Sequence, residues 1–161
     1  RAAGLRKASL HKNSPIMLHD AICARLPHAG RMCLLERLES WDGDSITCIA
    51  TSHRDVDNPL RRGGRLHAVA GVEYAAQAMA LHGNLLSATD TLPAIGYLAS
   101  VRDLKLDLDD LGTVAEDLRV TARRLSGDAS GFIYEFEIRA GARAVLSGRL
   151  AAKLLAAGTA A

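Results

Sequence analysis

The sequence predicts an α+β domain in which one long central helix is wrapped by a curved antiparallel sheet. Residues 66–86, LHAVAGVEYAAQAMALHGNLL, are the most apolar stretch of the 161-residue chain, and Glu73 is the only formal charge between Arg65 and Asp90. A segment apolar on all sides is a helix enclosed by protein, not one resting on a surface. A run of alternating segments follows it. The clearest is GFIYEFEIRAG (131–141), where Phe132, Tyr134, Phe136 and Ile138 face one way and Glu135, Glu137 and Arg139 the other. A sheet curled around the helix is the layer arrangement that buries it on nearly every side.

The elements follow in order. LHDAICAR (18–25) predicts a short helix ended by Pro27. MCLLERLESW (32–41) reads as a strand, Asp42-Gly43-Asp44 as a turn, and SITCIATSH (45–53) as a second strand with Ile46, Cys48 and Ala50 on one side. RDVDNPLRRGGR (54–65) is a long polar loop, which favours a functional purpose. The buried helix is expected over 68–85, about 27 Å long. PAIGYLASVRDLKLDL (93–108) is a long strand whose alternation changes near Arg102, predicting a bulge. TVAEDLRVTARRL (113–125), residues 131–141 and ARAVLSGRLAAKLL (142–155) complete the strands. The organisation is a single domain over 17–155, an extension over 1–16 and a tail over 156–161.

Composition narrows the class. Hydrophobic residues make up 48% but aromatics only 4%, so the core is built from Ala, Leu, Val and Ile. A net charge of +2, with no basic stripe interleaved with aromatics, argues against nucleic acid and is compatible with an acidic protein partner. Cys23, Cys33 and Cys48 are an odd number at no metal-like spacing, so free thiols in a reduced cytoplasmic compartment are expected. Residues 1–16 lack the apolar core of a secretory signal. No uncharged run reaches the ~20 residues of a membrane span.

Glu73 is the most informative residue. An ionised carboxylate in an apolar helix is paired, protonated or functional. It is a candidate acid or base whose pKa its surroundings have raised. The alternatives are a carboxylate at the wet edge of a surface helix, or one held structurally by Arg61, Arg62 or Arg65.

Three stretches resemble a known family. LPHAGRMCLLERL (26–38) is similar to the opening motif of the 3-hydroxyacyl-ACP dehydratases: Leu-Pro-His, a short turn, then an apolar strand with an acidic–basic pair. HAVAGVEYAAQAMA (67–80) resembles their helix motif, in which an acidic residue is followed four positions later by Gln, here Glu73 and Gln77. GYLASVRDLKL (96–106) resembles the strand after that helix. The likeness runs over about residues 26–152 in the right order, and residues 58–83 look most like the small dehydratase-like proteins of bacterial aryl-polyene pathways.

The resemblance implies the hotdog fold and a site at a dimer interface, with a loop histidine of one protomer opposite a helix acid of the other. It places Glu73 at the acid position. It places Asn58, which cannot serve as a general base, near the loop histidine position. His67 and Ala68 stand where the family has Pro-Gly.

Dehydration of a 3-hydroxyacyl thioester needs a base, an acid and donors for an enolate-like oxygen. Glu73 is expected to protonate the leaving hydroxyl, with Gln77 one turn on to hydrogen-bond the carboxyl or a water. The amides of Ala68 and Val69, in the first turn, are expected to hold the thioester oxygen. His28 and His67 are the candidate bases beside the less placed His53, and each also reads as a structural or exposed histidine. Arg61, Arg62 and Arg65 are candidates for the phosphopantetheine arm or an acidic carrier protein. No bound cofactor is expected; the substrate rides on the phosphopantetheine of an acyl carrier protein or of CoA.

The expected function is dehydration of 3-hydroxyacyl thioesters on an acyl carrier protein to 2-enoyl thioesters, in polyene or fatty-acid synthesis. The chain would act as a homodimer or as a heterodimer with another hotdog protein. The missing loop histidine favours a second reading, a catalytically incomplete partner subunit of a heteromeric dehydratase. A hotdog acyl thioesterase is a third.

Overall fold

The computed structural model describes residues 16–87 and 96–155. The expected extension, apart from its last residue, the first residues of the strand expected from 93, and the tail lie outside the described residues. The elements are β1 (Met17–Leu18), α1 (His19–Cys23), β2 (Arg37–Trp41), β3 (Ser45–Ala50), α2 (Gly71–Leu86), β4 (Gly96–Leu106), β5 (Leu118–Asp128), β6 (Gly131–Ala140) and β7 (Arg143–Leu154). Seven strands form one sheet in the order β1-β2-β3-β5-β6-β7-β4, and every pairing is antiparallel. Among the described residues, no helix is long and apolar enough to cross a membrane.

The sheet packs on α2 through the alternation legible in the sequence. Leu118, Val120 and Ala122 of β5 and Tyr134, Phe136, Ile138 and Ala140 of β6 are buried, as are Tyr74, Ala75, Ala78 and Leu81 of α2. Small residues let the helix sit close to the sheet. At Gly71, a Cβ would lie 2.5 Å from a Leu146 methyl of β7, so the first turn of α2 meets β7 with no room for a side chain. The bulge expected near Arg102 is present: the β4–β7 register shifts between Arg102 and Lys105, and Asp103 takes a positive φ of 52°.

Several boundaries differ from those expected. Pairing in β2 begins at Arg37, because residues 30–32 form a 3-10 turn and the chain reaches the sheet only afterwards. β3 stops at Ala50, where Ser52–Arg54 turns into the long loop. α2 begins at Gly71 behind a 3-10 turn at Ala68–Ala70. β5 starts at Leu118, after a 3-10 turn at Leu111–Thr113 in which the Asp110 carboxylate accepts from the Gly112 N–H.

The cysteines require a larger correction. Free thiols were expected, yet Cys23 and Cys33 are joined in a disulfide and only Cys48 is free. Their separation of 10 residues gave no hint of this. The pairing arises because Pro27 and the 3-10 turn fold the chain back, so that the end of α1 meets the approach to β2. The premise for inferring a reduced compartment from thiol count is therefore absent.

Candidate active site

Helix α2 carries Glu73 and Gln77 one turn apart, and both point toward residues 28–34. Gln77 is fully buried and fully engaged. Its Nε2 donates to the Met32 carbonyl at 2.6 Å and to Glu73 Oε1 at 3.1 Å, and its Oε1 accepts from the Leu34 N–H at 2.9 Å. The amide thus anchors the approach to β2 on the helix and presents one N–H to the carboxylate.

His28 reaches the same oxygen: its Nε2 lies 3.0 Å from Glu73 Oε1, and both side chains are 30% exposed. The contact expected from Gln77 is present, whereas the full desolvation expected of the carboxylate is not. Oε1 is held by two nitrogens, while Oε2 has no partner among the described residues. Glu73 lies on the side of α2 that the sheet leaves open, which accounts for its exposure. With Nε2 turned to Glu73, His28 has only Nδ1 left, and that atom is buried without a partner among the described residues. The ring orients the carboxylate and turns no free nitrogen outward.

The other sequence candidates lie elsewhere. Asn58 is 4% exposed, and its side chain is engaged on every side. Nδ2 donates to the Ser52 carbonyl at 2.9 Å and to the Tyr74 hydroxyl at 3.0 Å, and Oδ1 accepts from the Leu60 N–H at 2.9 Å. Ser52 Oγ, 2.9 Å from the Tyr74 hydroxyl, donates to the Leu34 carbonyl. This chain of bonds locks the long loop to α2 and to the approach to β2. Burial, the leading cause, raises the Tyr74 pKa above the ordinary phenol value.

His67 is exposed at the start of the 3-10 turn before α2, where its backbone bridges Asp110. His53 is fully buried with Nε2 3.2 Å from the Val114 carbonyl, and burial lowers its pKa. His82 is also buried, between the Tyr134 hydroxyl and the Asp42 carbonyl, each at 2.8 Å.

The helix-start amides divide. The Ala68 N–H donates to the Asp109 carbonyl at 2.9 Å, so it is not free to hold a substrate oxygen, contrary to expectation. A 3-10 turn uses donors only from its third residue onward, which leaves the N–H of Val69, a residue 53% exposed. The arginines divide too. Arg61 donates to the carbonyls of Asp55, Gly64 and His53 and so staples the loop. Arg65 pairs with Asp110 at 3.3 Å. Arg62 is exposed, and its guanidinium donates to the carbonyls of Pro59 and Arg61.

The Glu73–Gln77 pair was legible from its four-residue spacing. The His28 contact was not: nothing in Leu-Pro-His says which helix residue the imidazole will meet. Ser52 and Tyr74 carried no signal at all.

Comparison with known proteins gives a family and a fold. The family model described as ApeP-like, ApeP dehydratase, matches residues 21–154. The dehydratase heterocomplex ApeI:P from Xenorhabdus doucetiae is 24% identical with a TM-score of 0.75, covering 84% of this chain and 91% of that one. A thioesterase from Pseudomonas aeruginosa is 16% identical with a TM-score of 0.54, over 74% of this chain and 80% of its own. A hypothetical thioesterase from Streptococcus pneumoniae, solved with coenzyme A, is 12% identical with a TM-score of 0.54, over 73% and 84%. No curated protein matches the chain. The structural likenesses establish the hotdog fold.

Proposed function

The chain belongs to the ApeP-like dehydratase family, whose reaction is dehydration in aryl-polyene synthesis, and from that premise we propose that it supplies the acid half of a site shared with a second hotdog chain. The substrate is a 3-hydroxyacyl thioester carried on an acyl carrier protein. The observation that carries this reading is the Glu73 carboxylate, fixed at Oε1 by His28 and Gln77 with Oε2 left for chemistry.

The partner's base removes a proton from the carbon beside the thioester carbonyl. That electron pair becomes the new carbon–carbon double bond as the bond from C3 to the hydroxyl oxygen breaks. Glu73 gives the departing hydroxyl a proton from Oε2, and water leaves. The proton held by the base then returns to Glu73 through solvent. The Val69 N–H is the donor for the thioester oxygen, and the exposed Arg62 faces the phosphate or acidic surface of the carrier.

Three observations support a shared site. Among the described residues no free titratable nitrogen stands beside Glu73, since His28 Nε2 is turned to the carboxylate and its Nδ1 is buried. Strand β4 ends the sheet and exposes Tyr97, Leu98 and Val101, an edge on which a second chain can add its own strand. ApeI:P, the Xenorhabdus doucetiae dehydratase, is itself a heterocomplex.

The test is to give 3-hydroxyacyl carrier protein to the chain alone, and to the chain co-expressed with a hotdog protein encoded beside it. The 2-enoyl product is expected only from the pair, and Glu73→Gln should lower its rate by about 10²–10⁴-fold, the usual range for a lost general acid. Full turnover by the chain alone would sink the shared site, and unchanged turnover in E73Q would sink the role of Glu73. Release of free acid in place of the enoyl product would point to a thioesterase.

A further inference from the structure

His19 and Cys23 sit one turn apart on α1, and Cys33 is brought beside them by the fold-back of the chain. One ligand atom from each lies within 4.8 Å of the others, making this a compact set of soft donors that the linear spacing concealed. None of the three belongs to the Glu73 arrangement.

The imidazole is already set for a metal. His19 Nδ1 lies 2.8 Å from the Leu35 carbonyl, which only accepts, so Nδ1 carries the proton. Nε2 therefore presents its lone pair, 3.5 Å from Cys23 Sγ. A ring fixed through one nitrogen by a backbone carbonyl is how proteins orient histidine ligands. One neutral imidazole and two thiolates match the preference of zinc, and their two negative charges balance its two positive ones. His19 and Cys33 line an open cleft of ≈ 490 Å³, which leaves the fourth position to water.

We propose that, once the disulfide is reduced, His19, Cys23 and Cys33 bind a zinc ion, giving this corner two mutually exclusive cross-linked states. Reduction breaks the Sγ–Sγ bond. With a trialkylphosphine, phosphorus gives up two electrons and takes the oxygen of one water, and the two hydrogens of that water end on the thiols. Metal binding then displaces both thiol protons to solvent.

Either cross-link closes the segment 24–32 at its base. That segment carries His28 to Glu73 and the Met32 carbonyl to Gln77. The metal thus preserves, in a reducing compartment, the closure that the disulfide provides in an oxidising one.

The full chain should be reduced with a trialkylphosphine under argon, freed of it, and titrated with cobalt(II) as the probe. One cobalt per chain is expected, with thiolate-to-cobalt charge transfer and the intense d–d bands of a four-coordinate ion, displaced by zinc. The spectrum should be absent from unreduced protein and lost in His19→Ala, Cys23→Ser and Cys33→Ser. It should persist in Cys48→Ser, since that thiol is buried in β3 and pushed up to about 12. His19→Ala keeps both cysteines, so its disulfide form gives a folded reference by circular dichroism. A reduced chain that shows no such spectrum overturns the proposal, and so does a spectrum that survives Cys33→Ser or depends on Cys48. Should reduction itself unfold the chain, recovery of the native circular dichroism on adding zinc supports the site, and no recovery overturns it.

Discussion

At Asn58 and Gln77 the same side-chain chemistry serves different ends. Both amides are buried and fully hydrogen-bonded, but only Gln77 touches Glu73. Asn58→Ala removes the donor to the Tyr74 hydroxyl and leaves the Leu60 N–H without its acceptor. It should cost about 1–3 kcal/mol of stability, the usual penalty for orphaned buried partners, with kcat of the folded enzyme pair preserved. Gln77→Leu should destabilise by a similar amount through the orphaned Leu34 N–H. Unlike Asn58→Ala it should also lower kcat, by about tenfold or more, because Glu73 loses one of the two groups fixing Oε1. Urea midpoints and steady-state kinetics on the two variants separate the roles. Equal loss of kcat in both would mean that Asn58 shares in positioning the carboxylate.

Among the elements, α2 meets β7 with no room to spare. Gly71 begins the helix against Leu146, whose side chain is fully buried and surrounded. Alanine is the better helix former by up to ~1 kcal/mol, so propensity alone predicts that Gly71→Ala stabilises. The geometry predicts the opposite, because a Cβ would press on two Leu146 methyls at 2.5 and 2.9 Å. Overpacking of this kind costs about 1–3 kcal/mol, which outweighs the propensity gain. The variant should melt lower, and Leu146→Ala should cost less stability in the Gly71→Ala background than in the wild type, because it makes room for the new methyl. A rise in Tm for Gly71→Ala would show that the helix start can shift away from the sheet. The same contact marks what the sequence could convey. The period of two in β6 and the apolar run of α2 specify sheet and helix, since each is a local pattern. That Gly71 meets Leu146, that Cys23 meets Cys33 and that His28 meets Glu73 depend on how distant segments approach, which no local pattern records.

For the whole molecule, two buried histidines tie stability to pH. His82 donates from Nε2 to the Asp42 carbonyl, and in the neutral ring Nδ1 accepts from the Tyr134 hydroxyl, each at 2.8 Å. Burial is the main force lowering its pKa below 6.5; Arg124 adds to this, while the Asp42 hydrogen bond and the Asp42 and Asp44 charges oppose it. His53 is lowered by burial first and by Arg54 second, opposed by its bond to the Val114 carbonyl, by the Glu116 backbone nearby and by Asp117. Its Nδ1 is buried without a partner among the described residues, so a proton there would have no acceptor. In the unfolded chain both rings regain ordinary values near 6.5. Below that pH the unfolded state binds more protons than the native state, so stability falls as pH falls. The contribution is complete above about pH 6.5 and declines below it, by up to about 1.4 kcal/mol per pH unit for each histidine. Carboxylates titrate mainly below about pH 5, so urea unfolding between about pH 7.5 and 5.5 reports on histidines, and variants of each ring assign its share. The slope there should fall by up to one proton in His82→Gln, whose amide can still donate to the Asp42 carbonyl, and again when His53→Gln is added. A stability that stays flat across that window would show that one or both rings accept a proton in the native state.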